Sequence, residues 1–119
     1  MKKKIMLVVK HSTDDLERSN AAMALALSLL SEEVDLAIFF IFQGALLAKK
    51  GVAESIHGHN FAPVRDLWPE ILQAKIPMYV CGACAKTYNI SGDDLVVGVK
   101  IVQLPTLASE MISRETITF

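Results

Sequence analysis

The stretch Ile76-Pro77-Met78-Tyr79-Val80-Cys81-Gly82-Ala83-Cys84-Ala85-Lys86 decides the fold of this chain and carries both of its cysteines. A short apolar run leads directly into a C-x-x-C pair, and residues compatible with a helix follow. This order predicts a buried strand that ends at Cys81 and a helix whose first turn holds Cys84. Free main-chain N–H groups and the dipole at a helix start favour a thiolate. The stretch therefore predicts a reactive sulfur at the carboxyl end of a strand.

The segments on either side of this stretch repeat the alternation of strand and helix. Apolar runs rich in strand formers predict strands at Lys4–Val9, Val34–Phe42, Val99–Gln103 and Thr116–Phe119. Between them the pattern predicts helices from Asp14 or Asp15 to Leu30, at Ala45–Lys50, Val64–Ala74 and Gly82–Tyr88, and at Leu107–Ser113 with Thr106 as the N-cap. Such alternation is typical of an α/β fold with a mostly parallel, doubly wound sheet. No linker interrupts it, so we expect a single domain over residues 1–119.

The charge and hydrophobic content of the chain indicate which partners and which cellular location to expect. The net charge is -1, and this lack of basic excess predicts binding to neither nucleic acid nor an anionic membrane. The apolar runs Ile5–Val9 and Leu36–Ala48 are too short for a signal peptide or a spanning helix, so we expect a cytoplasmic protein. Hydrophobic residues make up 52% of the chain, more than a small monomer readily buries, which indicates a homo-oligomer.

The cysteine pair leaves several kinds of chemistry open. In the cytoplasm a structural disulfide is rare, so a close pair favours redox, sulfur or metal chemistry. His57 and His59 would complete a Cys2His2 set with Cys81 and Cys84 that suits zinc. Loop histidines are more often simply solvated, so we expect no metal and no cofactor. Spacing alone leaves reactive and buried apolar cysteines about equally favoured.

The predicted parallel sheet places further residues close to the two cysteines. In parallel α/β sheets, sites lie beyond the carboxyl ends of the strands. Polar or small residues follow three of the predicted strands at this edge. The candidate pocket residues around Cys81 and Cys84 are His11, Gln43, Gly44, Gly82 and Lys86, with His57 and His59 on a loop that would cover the pocket.

Several segments together resemble the DsrE/DsrF family, in its YchN-like branch. They are Ile76–Ala85, Ile90, Asp94–Val99 and Thr116–Phe119, and Val34–Phe42 followed by Gln43-Gly44-Ala45 and Lys50-Gly51 fits the family's second strand and its following helix. The resemblance covers nearly the whole chain. It implies a three-layer α/β/α domain with a five-stranded sheet, assembled as a homo-oligomer, a trimer or a hexamer, with the cysteine in a pocket at subunit contacts.

The resemblance also implies a function. In sulfur-relay members a cysteine at the position that matches Cys81 carries a persulfide, which it receives from a donor protein and passes to an acceptor protein. Cys84 matches the second cysteine of the YchN-like branch. Relatives commonly have an Arg-Gly pair after the cysteines, where this chain has Thr87-Tyr88-Asn89. The arginine is missing here, and Lys86 is the cation that takes its place.

Three functions are consistent with these features. The first is sulfur handling through a Cys81 persulfide with Cys84 assisting, as a sulfurtransferase or a sulfur carrier. The second is a non-catalytic oligomeric module that binds a small ligand or a partner. The third is a dithiol redox protein that uses a Cys81–Cys84 disulfide.

Overall fold

The computed structural model describes residues 2–119 as one five-stranded sheet flanked by helices. The strands are β1 (Lys4–Val9), β2 (Asp35–Phe40), β3 (Met78–Cys81), β4 (Val99–Val102) and β5 (Glu115–Thr118). The helices are α1 (Leu16–Ser31), α2 (Val64–Gln73), α3 (Gly82–Thr87) and α4 (Leu104–Ile112), and 3-10 segments span Phe42–Ala48, Ala53–Ser55 and Gly92–Asp94. The order β4-β3-β2-β1-β5 is parallel at every pairing. The predicted α/β class is confirmed, and the sheet is wholly parallel.

Strand burial follows position in the sheet. The central strands β1, β2 and β3 are almost entirely buried, whereas the edge strands β4 and β5 are largely exposed or half-buried. A strand covered on both faces requires apolar side chains at successive positions, which explains the continuous apolar runs in β1 and β2. Within residues 2–119, no helix has both the length and the apolar character needed to cross a bilayer.

Helices cover both faces of the sheet. Phe40 of β2 packs edge-on against Trp68 of α2, with ring centroids 6.3 Å apart, and α1 packs beside α2. Val80 pairs in register with Phe40 and therefore shares that face, so Tyr79 points to the opposite one. There Tyr79 and Leu107 of α4 line a cavity of about 20 Å³. The three-layer α/β/α arrangement is thus confirmed.

The buried guanidinium of Arg114 links the end of α4 to the sheet through ion pairs and hydrogen bonds. The side chain of Arg114 is only 6% exposed and pairs with Asp35 and Glu110, each at 3.2 Å. It also donates to the main-chain oxygens of Asp35 (2.7 Å) and Ile5 (3.3 Å). A buried guanidinium is tolerated when its donors are satisfied in this way. These bonds hold α4 at the amino ends of β1 and β2.

A buried amide fastens the long segment between the second strand and the second helix. The Asn20 side chain on α1 donates to the Ala62 oxygen at 2.9 Å and accepts from the Gly58 N–H at 2.7 Å. Both bonds join the loop to the Asn20 side chain on α1, so the polar loop that contains His57 and His59 is held against that helix.

The end of β2 differs from the sequence prediction. The strand stops at Phe40 rather than Phe42, and a 3-10 segment over Phe42–Ala48 replaces the helix predicted at Ala45–Lys50. The reason is a close approach at Gly44, where a Cβ atom would lie 1.9 Å from the Val9 oxygen. The Gly44 N–H donates to the oxygens of Lys10 (3.0 Å) and Ile41 (2.9 Å). The chain therefore turns sharply across the end of β1.

The predicted start of the first helix is confirmed, whereas the predicted start of the last helix is wrong. Asp15, one of the two predicted starts of the first helix, caps α1 by accepting from the Arg18 N–H at 2.9 Å. Asn89 takes a left-handed conformation (φ 54°) just after α3. The predicted Thr106 cap is wrong, because α4 already begins at Leu104 after Gln103. Pro105 sits in the first turn of that helix, where its missing N–H breaks no bond.

We predict that Gly44→Ala lowers the free energy of unfolding by about 3 kcal/mol, because the added methyl group meets main-chain atoms that cannot rotate away. Gly92→Ala is the matched control, since a Cβ atom there would meet nothing within 4 Å. Its expected effect is within about 0.5 kcal/mol. Urea unfolding of both variants measures the difference, and equal effects would contradict the structural role of Gly44.

Candidate functional site

The two cysteines lie where β3 turns into α3. Cys81 is the last residue of β3 and the residue before the first turn of α3, and Cys84 lies in that first turn. Both thiols are free, and both residues are buried, at 3% exposure for Cys81 and 9% for Cys84. This placement confirms the predicted positions. Because β3 lies between β2 and β4, the residues that follow those two strands surround the pair.

The sulfur of Cys84 has a main-chain hydrogen-bond donor from another strand end. The Phe42 N–H, just beyond β2, donates to Cys84 Sγ at 3.1 Å. Burial nonetheless raises the pKa of the Cys84 thiol; the Phe42 N–H opposes this rise and the neighbouring Cys81 side chain adds to it. The expectation that the helix start favours a thiolate at Cys84 is therefore wrong, since the loss of solvent around the sulfur outweighs the donor.

Phe42 has an unusual backbone. Its φ is 56°, in the left-handed region that bulky side chains rarely adopt, and its side chain is 57% exposed. Sequence reasoning placed Phe42 at the end of the predicted strand Val34–Phe42 and missed its place beside the cysteines. The adjacent Gln43-Gly44 pair was the available signal, because a glycine directly after a strand marks a tight turn.

Gln103 is a second neighbour that sequence reasoning missed. A Cβ atom at Gly82 would lie 2.6 Å from Gln103 Nε2 and 3.0 Å from its Oε1, so the Gln103 amide rests on the glycine that separates β3 from α3. Gln103 follows β4 directly. The rule that sites gather at the carboxyl ends of strands would have identified it if it had been applied to the fourth strand.

Of the other residues of the predicted pocket, three lie at or beside the turns that carry the cysteines and Phe42, and one lies further along α3. Gly82 adjoins Cys81, and half-buried Gln43 and buried Gly44 belong to the turn that carries Phe42. Gly44 serves the packing of that turn. Lys86 is exposed in the last turn of α3, two residues after Cys84. The ends of β2, β3 and β4 are therefore brought together.

The three histidines belong to the α1 side of the molecule. His11 Nδ1 lies 2.8 Å from Asp14 Oδ2 at the start of α1, and His57 Nε2 lies 2.9 Å from the Phe61 oxygen. His57 and His59 are exposed on the loop that Asn20 holds. Among the residues that the structure describes, no three His, Cys, Asp or Glu side chains are placed to hold a metal ion.

We predict that alkylation of Cys84 inflects at a higher pH in the folded chain than in the same chain unfolded in urea. The pKa of the thiol is raised by burial, so the folded chain retains the proton to higher pH. The Cys81→Ser variant isolates Cys84 and keeps that burial. Intact mass measured over a pH series gives the two inflections, and a lower inflection in the folded chain would contradict the buried-thiol description.

Comparisons with known proteins agree on the fold. The chain is 24% identical to the uncharacterized protein MK0008 of Methanopyrus kandleri over 97% of this chain and 92% of that one. The YchN protein from E. coli superposes over the full length of both chains with a TM-score of 0.78 and 24% identity. MTH1491 from Methanobacterium thermoautotrophicum, described as of unknown function, gives a TM-score of 0.77 at 14% identity over 99% of this chain and 100% of that one.

A sequence model of one family also matches nearly the whole chain. It spans residues 3–119, so the match includes every strand, both cysteines and the residues at the ends of β2 and β4. The resemblance inferred from the sequence is thereby confirmed: this chain belongs to the DsrE/DsrF-like family.

Proposed function

We propose that this protein handles sulfur as a persulfide on Cys81, with Cys84 assisting. The observation that carries the proposal is the placement of two free, adjacent thiols at the carboxyl end of a central parallel strand. Ligands and reacting groups of open α/β sheets bind at this edge. The sulfur comes from a donor protein and leaves to an acceptor protein in the reducing cytoplasm, where free thiols persist.

The proposed loading step needs no external oxidant or reductant. The Cys81 thiolate attacks the outer sulfur of a donor persulfide, R–S–SH, and a new S–S bond forms on Cys81. The S–S bond of the donor breaks, and the donor leaves as a thiolate, R–S⁻. The acceptor thiolate removes the outer sulfur by the same exchange, which restores the free thiolate of the cysteine that carried it.

Cys84 suits an assisting role because burial raises its pKa and keeps it as a neutral thiol. A neutral thiol is a poor nucleophile, so Cys84 does not compete with Cys81 for the donor. It lies one turn along α3, within the same C-x-x-C unit. From there it faces a sulfur held on Cys81 at a high effective concentration, so the small fraction of Cys84 present as thiolate is enough for attack within the chain.

We predict that incubation with glutathione persulfide adds one sulfur atom to the wild-type chain, and that Cys81→Ser lowers this loading at least tenfold, because the thiolate that accepts sulfur is gone. Cys84→Ser is the matched control, since it removes a thiol three residues away and should load normally. Intact mass spectrometry with and without prior alkylation measures the gain. Wild-type chain that gains no sulfur, or equal loading of the two variants, would overturn the proposal.

A dithiol redox function is the second candidate. It is favoured by the same adjacency, since two free thiols on one helical turn can close to a disulfide by exchange with a disulfide of a partner protein. That outcome is distinct in the same experiment, where the outer sulfur of glutathione persulfide is the oxidant and leaves as sulfide: the chain loses two hydrogen atoms and gains no sulfur. A non-catalytic binding module would change in neither way.

We also propose that copies of this chain associate as a trimer or a hexamer through α4. Leu104, Ala108 and Ile112 lie four residues apart on one side of the helix, and all three are exposed, Ile112 at 87%. An apolar stripe on an otherwise folded surface favours burial against a copy of itself.

We predict that Ile112→Glu shifts the mass in solution toward the monomer, because a carboxylate cannot be buried in an apolar contact without a partner. Thr106→Glu is the control, since Thr106 is also exposed on α4 but lies two residues from Leu104 and from Ala108, on another side of the helix. Light scattering coupled to gel filtration measures the mass. A wild-type monomer would contradict the association.

A further inference from the structure

We propose that sulfur loaded on Cys81 is passed to Cys84 within the same chain, and that the main-chain N–H of Phe42 holds the receiving sulfur. This inference rests on the proposed function and adds an internal second step. It assigns Phe42 as a positioning residue, which acts by fixing Cys84. The basis is the contact from the end of β2 to the sulfur on α3.

The contact consists of one fixed donor and one sulfur. The Phe42 N–H lies 3.1 Å from Cys84 Sγ, and the two residues are 42 positions apart in the chain. Phe42 begins the 3-10 segment that Gly44 anchors against Val9 and Lys10. The direction of this N–H is therefore set by the packing of the turn, independently of α3.

The strained backbone of Phe42 indicates that its N–H has a function at the Cys84 sulfur. A left-handed conformation costs a bulky residue about 1–2 kcal/mol relative to glycine. A neutral thiol is a weak acceptor, whereas a sulfur anion is a stronger one. A strained residue that points its N–H at a thiol gains most when that sulfur becomes negative.

The hand-over step balances without a redox partner. The Cys84 sulfur attacks the outer sulfur of the Cys81 persulfide, and a new S–S bond forms on Cys84. The S–S bond on Cys81 breaks, and Cys81 leaves as a thiolate that takes up the proton released by Cys84. One persulfide and one thiol are present before and after the step, and only their positions change.

The burial of the two cysteines agrees with this order. Both residues are buried, and Cys84 is the more exposed of the two, at 9% against 3% for Cys81. The raised pKa of Cys84 slows its attack on a donor in solution, whereas its attack on the Cys81 persulfide takes place within one chain at a high effective concentration. Sulfur then enters at Cys81 and leaves from Cys84.

The experiment locates the extra sulfur in full-length protein loaded with one equivalent of glutathione persulfide. After alkylation, trypsin releases residues 76–86 as one peptide, and fragmentation between the cysteines shows which of them carries the sulfur. We expect most of the sulfur on Cys84 in wild type. In Cys81→Ser, loading at Cys84 should fall at least tenfold, because the first acceptor is missing.

Variants at position 42 test the donor. Replacing Phe42 by its α-hydroxy acid converts the amide into an ester, which removes the N–H and weakens the Ile41 oxygen as an acceptor for the Gly44 N–H. We expect the ratio of sulfur on Cys84 to sulfur on Cys81 to fall about fivefold. The matched control is the same replacement at Ile41, whose N–H donates to the Val9 oxygen at 3.0 Å. It removes a neighbouring main-chain bond and should leave the ratio unchanged.

Two ordinary substitutions distinguish the effect of the left-handed backbone at Phe42 from the effect of its aromatic ring. Phe42→Asn keeps the N–H and favours the left-handed conformation, so the wild-type ratio should persist. Phe42→Val disfavours that conformation and should lower the ratio as the ester does. Thermal unfolding of each variant shows whether the fold is retained, and the sulfur ratio is read on the folded fraction.

The outcomes separate this inference from the proposed function. A wild-type chain that takes up no sulfur overturns both. Direct loading of Cys84 in Cys81→Ser at the wild-type rate also overturns both. Sulfur that loads and remains on Cys81 overturns the hand-over and leaves Cys81 chemistry intact. Sulfur on Cys84 with equal ratios in the two ester variants overturns the role of Phe42.

Discussion

The contact between Gly44 and the carbonyl oxygen of Val9 determines the shape of the site. No side chain fits between them, since a Cβ atom would lie 1.9 Å from that oxygen. The close approach lets the chain leave β2 at once and cross the end of β1, where the Gly44 N–H bonds the Lys10 oxygen. Phe42 lies inside this turn, and its left-handed backbone directs its N–H toward Cys84. A packing constraint at one strand end thus sets the surroundings of a sulfur at another.

Strand order explains why these ends meet. In the order β4-β3-β2-β1-β5, the cysteine strand has β2 on one side and β4 on the other. All strands are parallel, so the turns after β2, β3 and β4 emerge at one edge. They supply Phe42, Cys81 with Cys84, and Gln103. The histidines lie beside α1: His11 pairs with Asp14 at the start of that helix, and His57 and His59 lie on the loop that Asn20 holds.

Much of this arrangement could be predicted from the sequence, because it depends on local patterns. Continuous apolar runs identified β1 and the buried part of β2, and the C-x-x-C stretch located Cys81 at the end of β3. Phe42 was assigned to strand β2 because its apolar side chain continues the run, and its actual position depends on space beside Val9 that no local pattern encodes. The acidity of Cys84 was misjudged for a similar reason, since burial of the thiol arises from packing among several elements.

The surroundings of Cys84 combine two opposing influences on its sulfur. Exclusion of water favours the neutral thiol, and a fixed N–H favours the anion. Because α3 has only six residues, a helix dipole contributes little, and the donor comes instead from a neighbouring strand end. Such a sulfur is held neutral at rest, yet a donor is already in place when charge develops on it. A fixed donor needs no reorganisation during reaction, which is how preorganised N–H groups stabilise developing anions in other sites.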